Sequence, residues 1–583
     1  TYCGKSLRYF WRTNLAVVLG AAVGAAALTG ALIVGDSMRA SLQEVAVGRL
    51  GRVDHALVAP RFFREALADD FAASTDFTEN FDRACPIILL NGGATHAERR
   101  TRVDRVNLLG IDSRFWKLEL SFYLSQGEWG ENESPSSTRS VILNQALADE
   151  LEARVGDDVL LRTGKPDPIA SETLLGRRDD TVTTLRVTVA GIIPAEALGA
   201  FSLSPRQTAP KNAYLPLSML PRVLHQPDRV NALLVESKRT GAQSTPIDPD
   251  LLRGLLRRHI TLADVGLRLR MDEERGYLSL ESESILIPPA AEEASFAAAR
   301  VTSLDASPIL AHLANTIAAP SNSGHLIPYS TVVAIDPGSA LARAFTPHGD
   351  PLGAGEILLN EWTADYLQDK PGDPITMTYY VTGAFGKLET KSASFTLRGA
   401  LPLDGPAADP GFVPEYKGIT DTENLADWDP PFPVDLRLIR DKDEDYWDKY
   451  RTTPKAFVTL EEGQRLWADQ PDRFGRLTSI RLTPTQGGRF EAIADEFSRS
   501  LLRELNLDRM GLQWDPVRQR VAESSRGNTD FGMLFIGFSS FLILSAMMLV
   551  ALLFRLGIER RSHEIGLLLG TGFSPRTITR LLL

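Results

Sequence analysis

The side chains that most often do chemistry are dispersed in this sequence. The eight histidines stand at 55, 96, 225, 259, 312, 325, 348 and 563. They form no HExxH pair and no Cys/His cluster at metal-ligand spacing. Gly537-Phe-Ser-Ser-Phe541 lacks the closing glycine of a nucleophile elbow and lies in an apolar run. Gly386-Lys387 fails as a phosphate loop, because Val381 holds the place of the first glycine and Leu388 that of Ser/Thr. The acidic run Asp441 to Asp445 lacks the fixed glycine and terminal glutamate of an EF-hand. No catalytic, cofactor-binding or metal-ligating residue is expected, and the chain is not read as an enzyme. One dense cluster of charge remains, Glu559, Arg560, Arg561, His563 and Glu564. Ile565, Leu567, Leu568 and Leu569 follow and give the cluster an apolar side.

What positions that cluster is the stretch before it. Phe531 to Phe554 carries no charge, and about 20 such residues cross a bilayer core as a helix. A second uncharged run, Leu15 to Val34, lies near the other end. A signal peptide is the competing reading there, since basic residues precede it. Lys5, Arg8 and Arg12 come before the first run; Arg555, Arg560 and Arg561 follow the second. By the positive-inside rule both ends are cytoplasmic and the long middle lies outside. Tyr9 and Trp11 suit the interface. Gly20 and Gly24 form a GxxxG spacing that lets helices approach closely. Asp36 to Leu50 and Pro516 to Arg526 read as helical extensions forming a short stalk. Gly570-Thr-Gly572 ends the segment after the charge cluster, and Ser574-Pro575 starts another helix.

The chain has 583 residues, more than one core accommodates, and a net charge of −11. With basic ends, the middle is strongly acidic, which argues against a nucleic-acid partner. Cys3 and Cys85 fall on opposite sides of the expected membrane and define no disulfide framework. The start at Thr1 and the apolar end at Leu581 to Leu583 read as a fragment entering a third span.

The middle repeats itself. Val141-Ile-Leu precedes Asn144 to Gly156 (NQALADELEARVG), and Ile357-Leu-Leu precedes Asn360 to Gly372 (NEWTADYLQDKPG). Each reads as strand, Asn-capped helix, Gly-Asp turn and strand. Four further pairs keep the same order. They are Leu109-Gly-Ile-Asp112 with Val333-Ala-Ile-Asp336, and Cys85-Pro-Ile-Ile88 with Ser307-Pro-Ile-Leu310. Leu185 to Pro194 pairs with Phe395 to Pro402, and Pro210 to Tyr214 with Pro454 to Phe457. A tandem duplication is expected. Candidate strands in the first copy are Asp54–Val58, Arg105–Ile111, Ser140–Leu143, Val159–Arg162, Thr183–Ile193 and Ala232–Glu236. Glu131 to Thr138 and Leu403 to Pro433 read as surface insertions.

The segment IERRSHEIGLLLGTGFSPRTITRLLL resembles the cytoplasmic segment of FtsX/MacB-type ABC transporter permeases. Their E-R-R-x-x-E-I-G-x-L-x-x-x-G pattern falls on Glu559, Arg560, Arg561, Glu564, Ile565, Gly566, Leu568 and Gly572, with Arg576 and Arg580 after it. SLRYFWRTNLAVVLGAAV at the N-terminus and the strand–Asn-helix–Gly-Asp–strand unit carry the likeness further. The resemblance implies a permease subunit in a bacterial inner membrane, multi-pass, with a large extracytoplasmic domain. It implies that Glu559, Arg560, Arg561, Glu564, Ile565, Gly566 and Leu568 dock on a separate ATPase that holds ATP and Mg, this chain holding no cofactor. A second permease copy or homologue is the other expected partner, besides the bilayer. A doubled outer domain departs from the simplest members, so no substrate is carried over.

The expected fold is a membrane protein with two transmembrane α-helices flanking a mixed α/β extracytoplasmic domain, a tandem duplication of a MacB-like periplasmic core unit. Its parts are a cytoplasmic N-terminus 1–14, span 15–35, stalk helix 36–50, repeat 51–245, linker helix 246–267 and repeat 268–490. Return and stalk helices 491–530, span 531–554 and coupling segment 555–583 complete it. The alternative is a membrane-anchored extracytoplasmic binding or signalling protein without transport.

Overall fold

The uncharged run near the N-terminus folds as one long helix, Trp11–Gly48, and the second run as Phe531–Arg560. Neither has a polar stripe, so neither has a reason to turn one face to a soluble core. Both are long and apolar enough to cross a membrane by length and composition. This computed structural model describes residues 5–582 apart from 6–7, 120–138, 168, 170–172, 174–175, 177–180, 206–207, 241–242, 245–248, 321–324, 346–350, 384–386, 417, 468–474, 486 and 526–530. Cys3, Gly386, His348, Arg526, Leu583 and the insertion Glu131 to Thr138 lie outside the described residues.

The chain divides into two compact units. One holds residues 1–51, 196–209 and 516–583, the long helices with a loop drawn from the middle of the chain. The expected stalk is continuous with the first long helix, which runs unbroken to Gly48. A short helix, Val517–Ser525, packs on it through fully buried Val517 and Val521. Arg518 donates to the Gly51 carbonyl. The loop is tied to the same place: Arg49 Nη1 donates to the Thr208 carbonyl at 3.3 Å and Arg520 Nη2 to the Leu203 carbonyl at 2.9 Å.

The other unit, residues 52–195 and 210–515, contains two nine-stranded sheets. In spatial order the first is Trp514–Asp515, His55–Arg64, Arg229–Ser237, Phe81–His96, Arg102–Ile111, Asn212–Pro216, Ser140–Asn144, Val182–Ile193, Asp158–Gly164. The second is Leu267–Asp272, Tyr277–Ser282, Ser479–Pro484, Leu304–Ala318, Leu326–Ile335, Ala456–Thr459, Glu356–Asn360, Leu388–Leu401, Pro374–Thr382. Position by position, the strand directions agree. Only the fifth and sixth strands and the seventh and eighth pair in parallel, in both sheets.

Each sheet also has one long strand that changes partner. Phe81–His96 leaves Arg229–Ser237 after Ile87 and meets Asp158–Gly164 at Gly92. Leu304–Ala318 leaves Ser479–Pro484 after Ile309 and meets Pro374–Thr382 at Thr316. Between partners the strand edge forks away from the sheet.

Local sequence explains the shared joints. Asn144 caps helix Gln145–Leu151 by accepting from Leu147 N–H at 3.1 Å; Asn360 caps Glu361–Leu367 from Thr363 N–H at 2.8 Å. Each amide also donates to a proline carbonyl, Pro210 at 2.6 Å and Pro454 at 3.0 Å. Both helices end on a left-handed residue, Glu152 or Gln368. Gly156 and Gly372 then turn with φ of 96° and 100°, a region glycine enters without strain. A register shift falls between Val141 and Ile142 in one sheet and between Ile357 and Leu358 in the other. The matched sequence pairs occupy the same strands or strand entries of their two sheets.

One continuous core joins the sheets, with Leu57, Phe71 and Val235 on one side and Leu278, Leu280 and Leu482 on the other. Helix Pro249–His259 buries Leu252, Leu255 and Leu256 in it. Two ion pairs cross the same boundary, Arg64–Asp264 at 2.9 Å and Arg229–Glu283 at 2.7 Å. The segment 491–530, expected as return and stalk helices, differs. Its helix Phe490–Glu504 buries Phe497 and Leu501 in the shared core, and Trp514–Asp515 closes the first sheet. Among the described residues of this segment, Val517–Ser525 is the helix grouped with the long helices. The amphipathic stripe of 490–504 is what sends it inward.

Candidate functional site

Gly20 and Gly24 lie where the two long helices touch. A Cβ on Gly20 would stand 2.9 Å from Val550 Cγ2, and one on Gly24 3.4 Å from Ala546 Cβ. The missing side chains therefore set the distance of closest approach between the helices. Other stretches of the helices are bare: Phe538 and Phe541 are both 76% exposed.

The second long helix continues past its apolar run to Arg560. Arg555 Nε meets Glu559 Oε1 at 3.2 Å, an exposed pair one turn apart. The chain then bends at Arg561, whose guanidinium sits 4.1 Å over the Phe10 ring. That contact ties the bend to the start of the first long helix. Helix Ser562–Gly570 follows. Gly572 takes φ of 96°, and Phe573 N–H returns to the Leu568 carbonyl at 3.1 Å, closing the helix end. Ser574 Oγ accepts from Thr577 N–H at 3.3 Å and starts helix Pro575–Leu582, with Pro575 leading.

The sequence-predicted coupling residues thus occupy one bent helical segment. Glu559, Arg560 and Gly566 are exposed; Arg561, Glu564, Ile565 and Leu568 are half-buried. Leu567 is 71% exposed beside them. Gly566 and Gly570 face open space, with nothing within 4 Å of a built Cβ. Glycine inside a helix costs about 1 kcal/mol relative to alanine. Internal packing gives no return for that cost here.

Sequence reasoning did not anticipate a cavity of about 360 Å³ against the second sheet, walled by Trp428, Trp447 and Trp467. Those tryptophans come from three separate segments, so no local pattern announces them. The one available signal was the length of the Pro- and acid-rich insertion that begins at Leu403. Among the described residues no group of His, Cys, Asp and Glu could hold a metal ion.

Comparison with known proteins places one part of the chain. Residues 15–245 match the model of the MacB-like periplasmic core domain. Among solved structures, the periplasmic region of MacB from Actinobacillus actinomycetemcomitans aligns at 12% identity and a TM-score of 0.22, over 36% of this chain and 86% of that one. That likeness is too low to bear on the fold. No curated protein matches the chain. The family match, running from inside the first apolar helix, supports the FtsX/MacB-type permease family for this chain.

Proposed function

We propose that this chain, bearing a MacB-like periplasmic core domain and two candidate membrane helices, is the permease subunit of an ABC transporter complex. ATP hydrolysis occurs on a separate ATPase subunit. The bent segment of Glu559, Arg560, Arg561, Glu564, Ile565, Gly566 and Leu568 receives the ATPase. The second long helix carries its motion to the outer unit, for export, extraction or force transmission. The two sheets are a tandem duplication of one MacB-like unit, and a second permease copy or homologue completes the complex. The observation that carries this reading is the core-domain match that begins inside an apolar helix, which ties the outer domain to the membrane. Two features support the docking role: the open faces of Gly566 and Gly570, and the Arg561–Phe10 contact that ties the bend to the first long helix.

The test is charge reversal. Glu559→Lys with Glu564→Lys is expected to abolish copurification of the ATPase subunit and its stimulated hydrolysis, while the chain stays in the membrane. Unchanged copurification and hydrolysis would remove the coupling role. It would leave the alternative of a membrane-anchored binding or signalling protein without transport, which the cavity on the second sheet also suits.

A further inference from the structure

The cavity on the second sheet lies at its fork. Leu310, His312 and Leu313 line it from the strand that is changing partner. The corresponding fork in the first sheet is sealed. There the Asn231 side chain accepts from Leu89 N–H at 2.8 Å and donates to the Leu89 carbonyl at 2.9 Å, replacing a neighbouring strand. Thr478 holds the matching place in the second sheet, and its hydroxyl reaches Ala311 N–H at 2.8 Å. The side chains differ in the same sense. By strand register His312 corresponds to Leu90 and Trp467 to Leu224, so two aliphatic residues of a packed core are replaced by two rings at the cavity wall.

The chain then builds a cover. After Leu401 it makes a long excursion before re-entering the sheet at Ala456. Tyr416, Ile419 and Trp428 from that excursion and Trp447 from helix Asp441–Tyr450 face the cavity. The cover is pinned by a buried knot. Asp409 accepts from Tyr277 Oη at 2.7 Å and pairs with Arg481 at 2.8 Å, and the Arg481 guanidinium lies between the rings of Tyr277 at 3.8 Å and Phe412 at 4.0 Å.

The two arginines at the wall are paired. Arg465 pairs with Glu462 and Arg476 with Glu292. Lys391 and Glu389 stand on one strand two residues apart, on the same face. His312 stacks on Trp467 with ring centres 4.7 Å apart, and burial draws its pKa down to about 4, so it is neutral. A volume of about 360 Å³ is within the usual range for small-molecule pockets. The several ring faces and edges favour a ligand that is itself a ring system.

We propose that the second half of the outer unit contains a binding site for an uncharged, ring-bearing apolar small molecule. The site was opened by unsealing the sheet fork and roofed by the 402–455 excursion. A charged group among the rings would lose hydration, which disfavours organic anions of the same shape.

The experiment uses the full chain in lipid nanodiscs and two probes on one ring skeleton: N-phenyl-1-naphthylamine, which is neutral, and 1-anilinonaphthalene-8-sulfonate, which is anionic. Titration with the neutral probe should show a saturable component, sensitised by tryptophan emission, above that of empty nanodiscs. The anionic probe should bind about tenfold or more weakly. Ile419→Trp, which fills the cavity, should abolish the saturable component. Should that variant lose cooperative melting, Trp428→Ala takes its place, with binding expected to weaken about tenfold or more. The proposal is overturned by no saturable component, by equal binding in the folded variant, or by the anion binding as tightly as the neutral probe. Displacement by dodecan-1-ol as readily as by unlabelled naphthalene would overturn the ring-bearing class and assign an alkyl chain instead.

Discussion

The two sheets share strand order, strand direction, a register shift and an Asn cap, yet their connections at one position have gone separate ways. In the first sheet the chain passes from Ile193 to Asn212 by a shorter loop, which is grouped with the long helices through Thr208 and Leu203. In the second it passes from Leu401 to Ala456 by the excursion that roofs the cavity. One framework therefore supports two jobs. The common strands fix geometry, and the connection varies: one joins the unit of the long helices, the other covers a cavity. This is the usual division between a rigid scaffold and its functional loops, seen within a single chain.

The largest expected effect tests the roof. Arg481→Leu leaves buried Asp409 beside Tyr277 with only the longer Arg275 contact at 3.6 Å, at a cost of up to about 3–5 kcal/mol. The denaturation midpoint should fall, and limited proteolysis should open the chain within 402–455 before the first sheet is cut. Cleavage elsewhere first would mean the excursion is not an independently pinned cover.

A sharper test of correspondence comes from a reciprocal exchange. Gly110 leaves room for Leu220 Cδ1, which a built Cβ would approach to 2.9 Å. In the second sheet Gly463 makes the room instead, since its Cβ would collide with that of Ala334. By register Gly110 matches Ala334 and Leu220 matches Gly463. Gly463→Leu alone should destabilise by about 1–3 kcal/mol through overpacking. Adding Ala334→Gly should recover most of that loss in thermal unfolding, since it recreates the first sheet's pair. Absence of recovery would break the equivalence of the two positions.

Asn144→Ala and Asn360→Ala should cost about 1–2 kcal/mol each and within error of one another, measured by denaturant midpoint, because each removes a cap. A wide difference would show that the two joints carry different loads.

A pH dependence also separates the sheets. Lys455 occupies the place that Asn212 takes in the first sheet, near the rings of Trp362 at 5.0 Å and Tyr446 at 4.7 Å. Burial draws its pKa from 10.5 down to about 8, against the opposing pull of Asp443. A lysine depressed by folding binds fewer protons in the folded than in the unfolded chain between those values. Its contribution to stability therefore rises from about pH 8 to about 10.5 and is flat below. Melting temperature against pH should show this slope in wild type and lose it in Lys455→Met.

Much of the fold could be read in advance wherever a local rule was strong. The uncharged runs gave both long helices, and the Asn caps and Gly-Asp turns gave the recurring unit, because each depends on residues close in sequence. The strand Phe81–His96 was not among the candidate strands, with only Cys85 to Ile88 noted as a repeat match, since two partners share it and no single alternation runs its length. Trp514–Asp515 is too short for any pattern. The Gly110–Leu220 and Ala334–Gly463 exchange is invisible to residue matching, because what is kept is summed volume. The cavity escaped for the same kind of reason: its tryptophans meet only after the fork, the excursion and helix Leu460–Trp467 have been placed. For the segment after the second uncharged run, the charge cluster and the helix limits at Gly570 and Pro575 were legible; the break at Arg561, which leaves Glu559 and Arg560 on the long helix, and the Arg561–Phe10 contact were not.

The two-residue strand at the edge of the first sheet has a mechanical meaning. Asp515 pairs with Ala56 and Trp514 with Leu57, so the outer unit's first and last strands lie side by side. One follows the first long helix and the other leads into the second. A load that moves both helices together leaves this seam unstressed. A load that splays them acts at the seam's open end and peels it one pair at a time, the direction in which β-pairing resists least. The seam would therefore hold against sliding of its strands and yield to peeling.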